Sequence, residues 1–132
     1  MNININSAVL VAEVQSLFSE AYPYLKIEFF EAVANVPGVR RRSGVPPETA
    51  LGKIRTKQVD GILEIVDSTT VTELEQVLTD KFGLESQVYR RAGNIWIETN
   101  ITDMWTLEHQ NEQGRQLSVT NGMGLKEHYR NR

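Results

Sequence analysis

At 132 residues, 40% hydrophobic and 23% charged, the chain has the size and composition of one ordinary globular domain, able to bury a core without metal or disulfide staples. It contains no cysteine, which excludes disulfides, thiolate zinc sites and a cysteine nucleophile together, and its net charge of −3 gives no support to a polyanionic partner. No apolar run approaches the roughly 20 residues of a membrane span, and the N-terminal MNININSAVLVAEVQ lacks a basic start and a small-residue cleavage site, so a cytoplasmic protein that does not engage membranes is expected.

Ile3 and Ile5 alternate with asparagines, the pattern of a short first strand. Ser7 can cap a helix whose Leu10, Val11, Val14, Leu17, Phe18 and Ala21 share one stripe. Tyr22-Pro23 stops it, because proline disfavours a helical residue before it. In the following YLKIEFFE, Leu25, Ile27 and Phe29 alternate with Lys26 and Glu28, which predicts a strand over 24–31.

Residues 32–60 differ in character. They hold Pro37, Pro46 and Pro47, show no sustained period and read as a long connection, of a length that is uncommon inside compact domains and often functional. Pro47 to Leu51 can open one helical turn; Gly52 to Arg55 can instead begin the strand that ends near Val66. Arg40, Arg41, Arg42, Lys53, Arg55 and Lys57 place six of the fourteen basic residues here. Guanidinium groups beside Pro and Gly suit phosphate or carboxylate, so Arg40, Arg41, Arg42, Lys53 and Arg55 form the candidate site for an anionic ligand, nucleic acid included. No aromatic residue lies among them to stack a base, and the competing reading is a loop kept in solution by its charge.

The segment from Gly61 to Thr99 carries the clearest local signals. Ile62, Leu63, Ile65 and Val66 read as a strand. Thr70 and Glu73 stand at capping-box spacing, ahead of Val71, Leu74, Val77, Leu78 and Phe82 on one helical face, and Gly83 is a left-handed terminator. Leu84 to Arg91 and Asn94 to Thr99 then form a hairpin about Ala92-Gly93. Trp96 is out of phase with Ile95 and Ile97, so it is expected on the open sheet face beside Tyr89 or Val88. With Trp105, Tyr89 and Trp96 make the candidate interface for self-association or another protein, unless Met104, Trp105 and Leu107 fold back over that face, the arrangement favoured here. Asp103 or Thr106 can cap a helix to about Gln113, with Gly114 as its stop.

The whole is an α+β two-layer sandwich: two helices on a four- to five-stranded, mainly antiparallel sheet, in ferredoxin-like β-α-β-β-α-β order with an added strand. Residues 1–117 form a single domain and 118–132 a loose tail. No internal repeat is visible. Catalytic signals are weak: His109 and His128 stand in the terminal region, Glu64, Glu85 and Glu98 interleave with Arg90 and Arg91 as cross-strand ion pairs would, and no nucleophile motif, phosphate loop, metal spacing or cofactor signature occurs. A non-catalytic binding or protein-interaction module is the leading expectation, anion binding the alternative, and an enzyme using strand carboxylates the third.

Overall fold

The computed structural model describes the backbone of residues 1–31 and 43–127, and the side chains of 1–31 and 44–119. Its elements run β1 (Asn2–Ile5), α1 (Val11–Ala21), β2 (Leu25–Glu31), β3 (Ser43–Gly44), a 3-10 turn at Leu51–Lys53, β4 (Gly61–Glu64), α2 (Val71–Asp80), β5 (Glu85–Ala92), β6 (Ile95–Glu98) and α3 (Leu107–Glu127). The class is α+β. The strands, however, divide into two antiparallel ladders instead of entering one sheet in ferredoxin-like order. β1 pairs with β4 alone, while β2, β5 and β6 form a second sheet whose β2 edge is extended by the two-residue β3.

The division follows from the side chains. In β1 and β4, Ile3, Ile5 and Leu63 turn inward, with Ile65 just beyond, whereas Asn2, Asn4, Ile62 and Glu64 turn out. In β2, Leu25, Ile27 and Phe29 meet Val88 of β5 in the same core, joined by Val14 and Phe18 of α1 and by Leu74 and Leu78 of α2. At about 1.5–3 kcal/mol for each fully buried large apolar side chain, this shared core holds both ladders together.

An internal repeat is present. The core positions Ile3, Ile5, Val11, Val14, Phe18 and Tyr22 recur sixty places on as Leu63, Ile65, Val71, Leu74, Leu78 and Phe82, all of them buried. Both helices begin alike: Glu13 accepts from Leu10 N at 3.0 Å and Glu73 from Thr70 N at 2.9 Å. The next amides also match, Val11 donating to Thr49 and Ala12 to Pro47 as Val71 donates to Trp105 and Thr72 to Asp103. Leu51 N reaches Val9 O and Gly52 N reaches Ser7 O; Leu107 N reaches Thr69 O and Glu108 N reaches Asp67 O. The pairing respects the same relation, since the β1–β4 partners Asn2↔Glu64 and Asn4↔Ile62 exchange under it. Among the described residues β1-α1-β2 and β4-α2-β5 are two copies of one unit related by a pseudo-two-fold axis, with β1–β4 and β2–β5 both antiparallel.

Three further expectations change. Helix α1 starts at Val11 with Leu10 at its N-cap, not at Ser7, and Leu17 is exposed. The second half of the connection is ordered: Leu51 and Ile54 are buried, Pro47 and Glu48 form a turn closed by Thr49 N donating to Pro46 O at 3.0 Å, and the helical turn comes later, at Leu51–Lys53, where an early strand was the alternative. Thr106 caps α3, its hydroxyl accepting from His109 N at 3.1 Å, but the helix continues through Gly114 to Glu127, into the segment expected to be a loose tail. Gly114 serves close approach instead of termination, for a Cβ there would lie 2.9 Å from Tyr24 Cβ and 3.2 Å from Arg90 Cγ.

Candidate functional site

Antiparallel register sorts the larger sheet into two faces. Leu25, Ile27 and Phe29 of β2 lie opposite Arg90, Val88 and Ser86 of β5 on the inner face. On the outer face Lys26 stands opposite Tyr89, which stands opposite Glu98, while Arg91 stands opposite Trp96. The hairpin that sets this register turns at Gly93-Asn94, with Gly93 at φ 67, the first central position of a turn that requires glycine there.

Four side chains form a continuous ladder on the outer face. Lys26 Nζ lies 5.3 Å from the centroid of Tyr89 and 5.1 Å from that of Trp96, and Arg91 Cζ lies 5.4 Å from Trp96. Trp96 is thus approached by two cations, each contact worth about 0.5–1 kcal/mol at a half-exposed site. Lys26 is further drawn to Glu28 at 3.5 Å, and Arg91 Nε donates to Gly93 O at 2.8 Å. Held this way, the aromatic rings are already ordered, so a partner meeting them loses little further side-chain entropy. Glu28, Glu85 and Glu98 share the face with Lys26 and Arg91. Such a balance disfavours a polyanion.

Of the expected interface residues, Tyr89 and Trp96 come together and Trp105 is separated from them. Trp105 lies beneath the inner face, where Arg90 Cζ sits 5.3 Å from its centroid and His109 packs edge-on at 4.4 Å. Backbone bonds set this placement, Val71 N donating to Trp105 O at 3.2 Å and Thr72 N to Asp103 O at 2.9 Å, and the ring packs on Arg90. Its guanidinium is buried, donates to Gln110 Oε1 at 2.6 Å and Thr102 Oγ1 at 3.4 Å, and leaves Nε without a partner. Burial lowers its pKa, because the charged form is poorly solvated there. The segment from Asn100 to Leu107 therefore covers Arg90 on the inner face, and the expected coverage of Trp96 does not occur; Met104 itself stays exposed. From sequence Arg91 is expected in cross-strand ion pairs with the strand carboxylates, not on Trp96, and Lys26 carries no expected role, although it shares the phase that puts Tyr89 and Trp96 on the outer face.

The expected anion-binding residues do not form one constellation among the described residues. Arg40, Arg41 and Arg42 lie outside them. Lys53 is exposed at the end of the 3-10 turn. Arg55 is turned into its own loop: Nη1 donates to Val59 O at 3.1 Å and Asp60 Oδ1 at 2.8 Å, and Nη2 to Ser7 Oγ at 2.6 Å and Gln58 Oε1 at 3.3 Å. Both terminal nitrogens are thereby engaged, which withholds Arg55 from an external phosphate. The strand carboxylates are also dispersed, with Glu64 on the smaller ladder and Glu85 and Glu98 on the larger.

Among the described residues the surface also carries shallow grooves. One, of about 520 Å³, is lined by Tyr22, Asp67, Glu108, His109 and Glu112; the Tyr22 hydroxyl donates to Asp67 Oδ1 at 2.9 Å, and burial together with that carboxylate raises its pKa. Another, of about 460 Å³, runs between α2 and β5 past Glu75, Thr79 and Glu85. Among the described residues no three His, Cys, Asp or Glu side chains are placed to hold a metal ion, and no helix is long and apolar enough to cross a membrane. Comparison with protein-family models, curated proteins and solved structures returns no match for this chain.

Proposed function

We propose that this chain is a small cytoplasmic protein-interaction module, without catalytic activity, whose helices back the larger sheet as one layer of a sandwich and leave its outer face for a protein partner. The observation that carries this reading is the Lys26–Tyr89–Trp96–Arg91 ladder. Trp, Tyr and Arg are the side chains most enriched at the energetic centres of protein interfaces, and here they are pre-ordered on a sheet surface instead of being used in the core. The flanking carboxylates Glu28 and Glu98 supply a polar rim of mixed sign, which suits a protein surface better than a phosphate backbone.

A photo-reactive amino acid at Glu28, on this face, and a control at Ser16, exposed on α1, test the reading. Adducts formed from position 28 and abolished by Trp96→Ser support it, with thermal melting confirming that the variant remains folded. Adducts indistinguishable between the two positions, or insensitive to Trp96→Ser, refute it.

A further inference from the structure

On two strands of the larger sheet, outward-pointing backbone groups are engaged by side chains or by the neighbouring loop. On β2, Leu25 O accepts from Ser19 Oγ at 3.1 Å, Ile27 O from Gln15 Nε2 at 2.9 Å and Phe29 O from Val45 N at 3.2 Å. On β5, Val88 N donates to Glu75 Oε2 at 2.8 Å and Val88 O accepts from Thr99 Oγ1 at 2.8 Å. The two helices thus seal their strands with side chains at corresponding positions. β6 has no such cover. The Arg91 N to Tyr24 O bond fixes the phase of the ladder: odd-numbered residues of β5 face β2 and even-numbered ones face β6, so Ile95 and Ile97 bond to β5 while the N–H and C=O of Trp96 and Glu98 point away from it. Among the described residues these outward groups meet no backbone partner beyond the ladder. No lysine, proline or bulge blunts this edge, and Ile95 is 57% exposed.

We infer that β6 pairs antiparallel with β6 of a second copy of this chain, joining the two larger sheets into one. This goes beyond the reading of the outer face as an interaction surface: the pairing occupies the β6 edge and leaves that face open. With a two-fold axis through Ile97, Trp96 of each copy faces Glu98 of the other, and each pair exchanges both N–H···O bonds because those are the residues whose groups point outward. Ile97 then packs on its own symmetry mate beneath the sheet. On the outer face the register brings charge into order. Each row reads Lys26, Tyr89 and Glu98 from one copy, then Trp96 and Arg91 from the other, so every carboxylate is flanked by two aromatic rings with a cation beyond each. Shifting the axis to Glu98 would instead set like charges opposite one another, which costs stability.

Sedimentation of the full chain across the micromolar range, combined with amide hydrogen exchange, tests the pairing. A concentration-dependent dimer is expected in which the amides of Trp96 and Glu98 slow with protein concentration, while those of Ile95 and Ile97 are protected throughout. Glu98→Lys, on an exposed side chain, is expected to move the dimer midpoint roughly tenfold to higher concentration without loss of fold. A dimer whose Trp96 and Glu98 amides exchange as fast as in the monomer overturns the register. A monomer over the whole range overturns the inference, and the cross-link from position 28 decides separately whether the outer face still serves another protein.

Discussion

The first copy of the repeat closes its end of the core with Ile54 and Arg55, and the second closes the matching end with Gln110 and Asn111, although the backbone bonds around them correspond. The difference originates across the sheet. Arg90 of β5 lies on the inner face, whereas its counterpart in β2 is Glu31, which is exposed at the strand end. A buried guanidinium requires an acceptor, and Gln110 provides one while its amide donates to Thr102 O at 2.6 Å. In the first copy no such demand exists, Ile54 fills the position, and the arginine that follows is folded against Ser7. A repeated position can therefore change from apolar to polar when its cross-sheet neighbour changes with it.

The largest effect expected from testing this comparison comes from Phe18→Ala and Leu78→Ala, which empty the same site in the two copies. Losses of about 3–5 and 2–5 kcal/mol respectively are expected in urea denaturation. Both should lower one common transition, because β1 pairs with β4 and β2 with β5; two separate transitions would mean that the copies fold independently. Gln110→Ile, which installs the residue of the first copy in the second, should cost about 2–3 kcal/mol by stranding Arg90, and Arg90→Leu added to it should recover most of that loss. Leu10→Thr supplies the hydroxyl that Thr70 has and Leu10 lacks at the helix start, and should stabilise by about 0.5–1 kcal/mol, read as a higher melting temperature.

The smallest effect concerns Tyr22 and its counterpart Phe82. The folded protein raises the pKa of Tyr22 above its ordinary value of 10.0, through burial and the bond to Asp67. The neutral hydroxyl is thus favoured in the folded state, and its stabilisation is complete below pH 10 and lost as pH rises beyond it. Tyr22→Phe should consequently show a shallower decline of stability above pH 10 than the parent chain, measured by denaturation at neutral and alkaline pH.

Much of the local architecture was legible, because it rests on periodicity and caps. Thr70 and Glu73 cap α2 as their spacing implied, Gly83 takes φ 66, Leu25, Ile27 and Phe29 face inward, and Trp96 and Tyr89 share the outer face. The repeat was not visible. Its copies conserve burial more than identity, as in Phe18 and Leu78 or Tyr22 and Phe82, and their spacing drifts from sixty positions in the helices to fifty-six between Leu51 and Leu107. The end of α3 was misplaced because glycine carries two meanings, a left-handed terminator or room for a neighbouring backbone, and only the packing of Tyr24 and Arg90 selects the second. Trp105 lies apart from Trp96 for a similar reason: nothing local to it reveals its packing on Arg90, fifteen positions earlier.

The exchange of strands between the copies also governs when the chain can fold. β1 finds its partner only after about sixty further residues have been made, which at a ribosome's pace of 5–20 residues per second is about 3–12 s. Until β5 emerges, β2 stands with Ile27 and Phe29 uncovered on one side, and neither copy can finish first. Synthesis of this protein therefore passes through an interval in which strands with apolar faces stand without the partners they have in the finished fold, open to pairing with those of neighbouring chains.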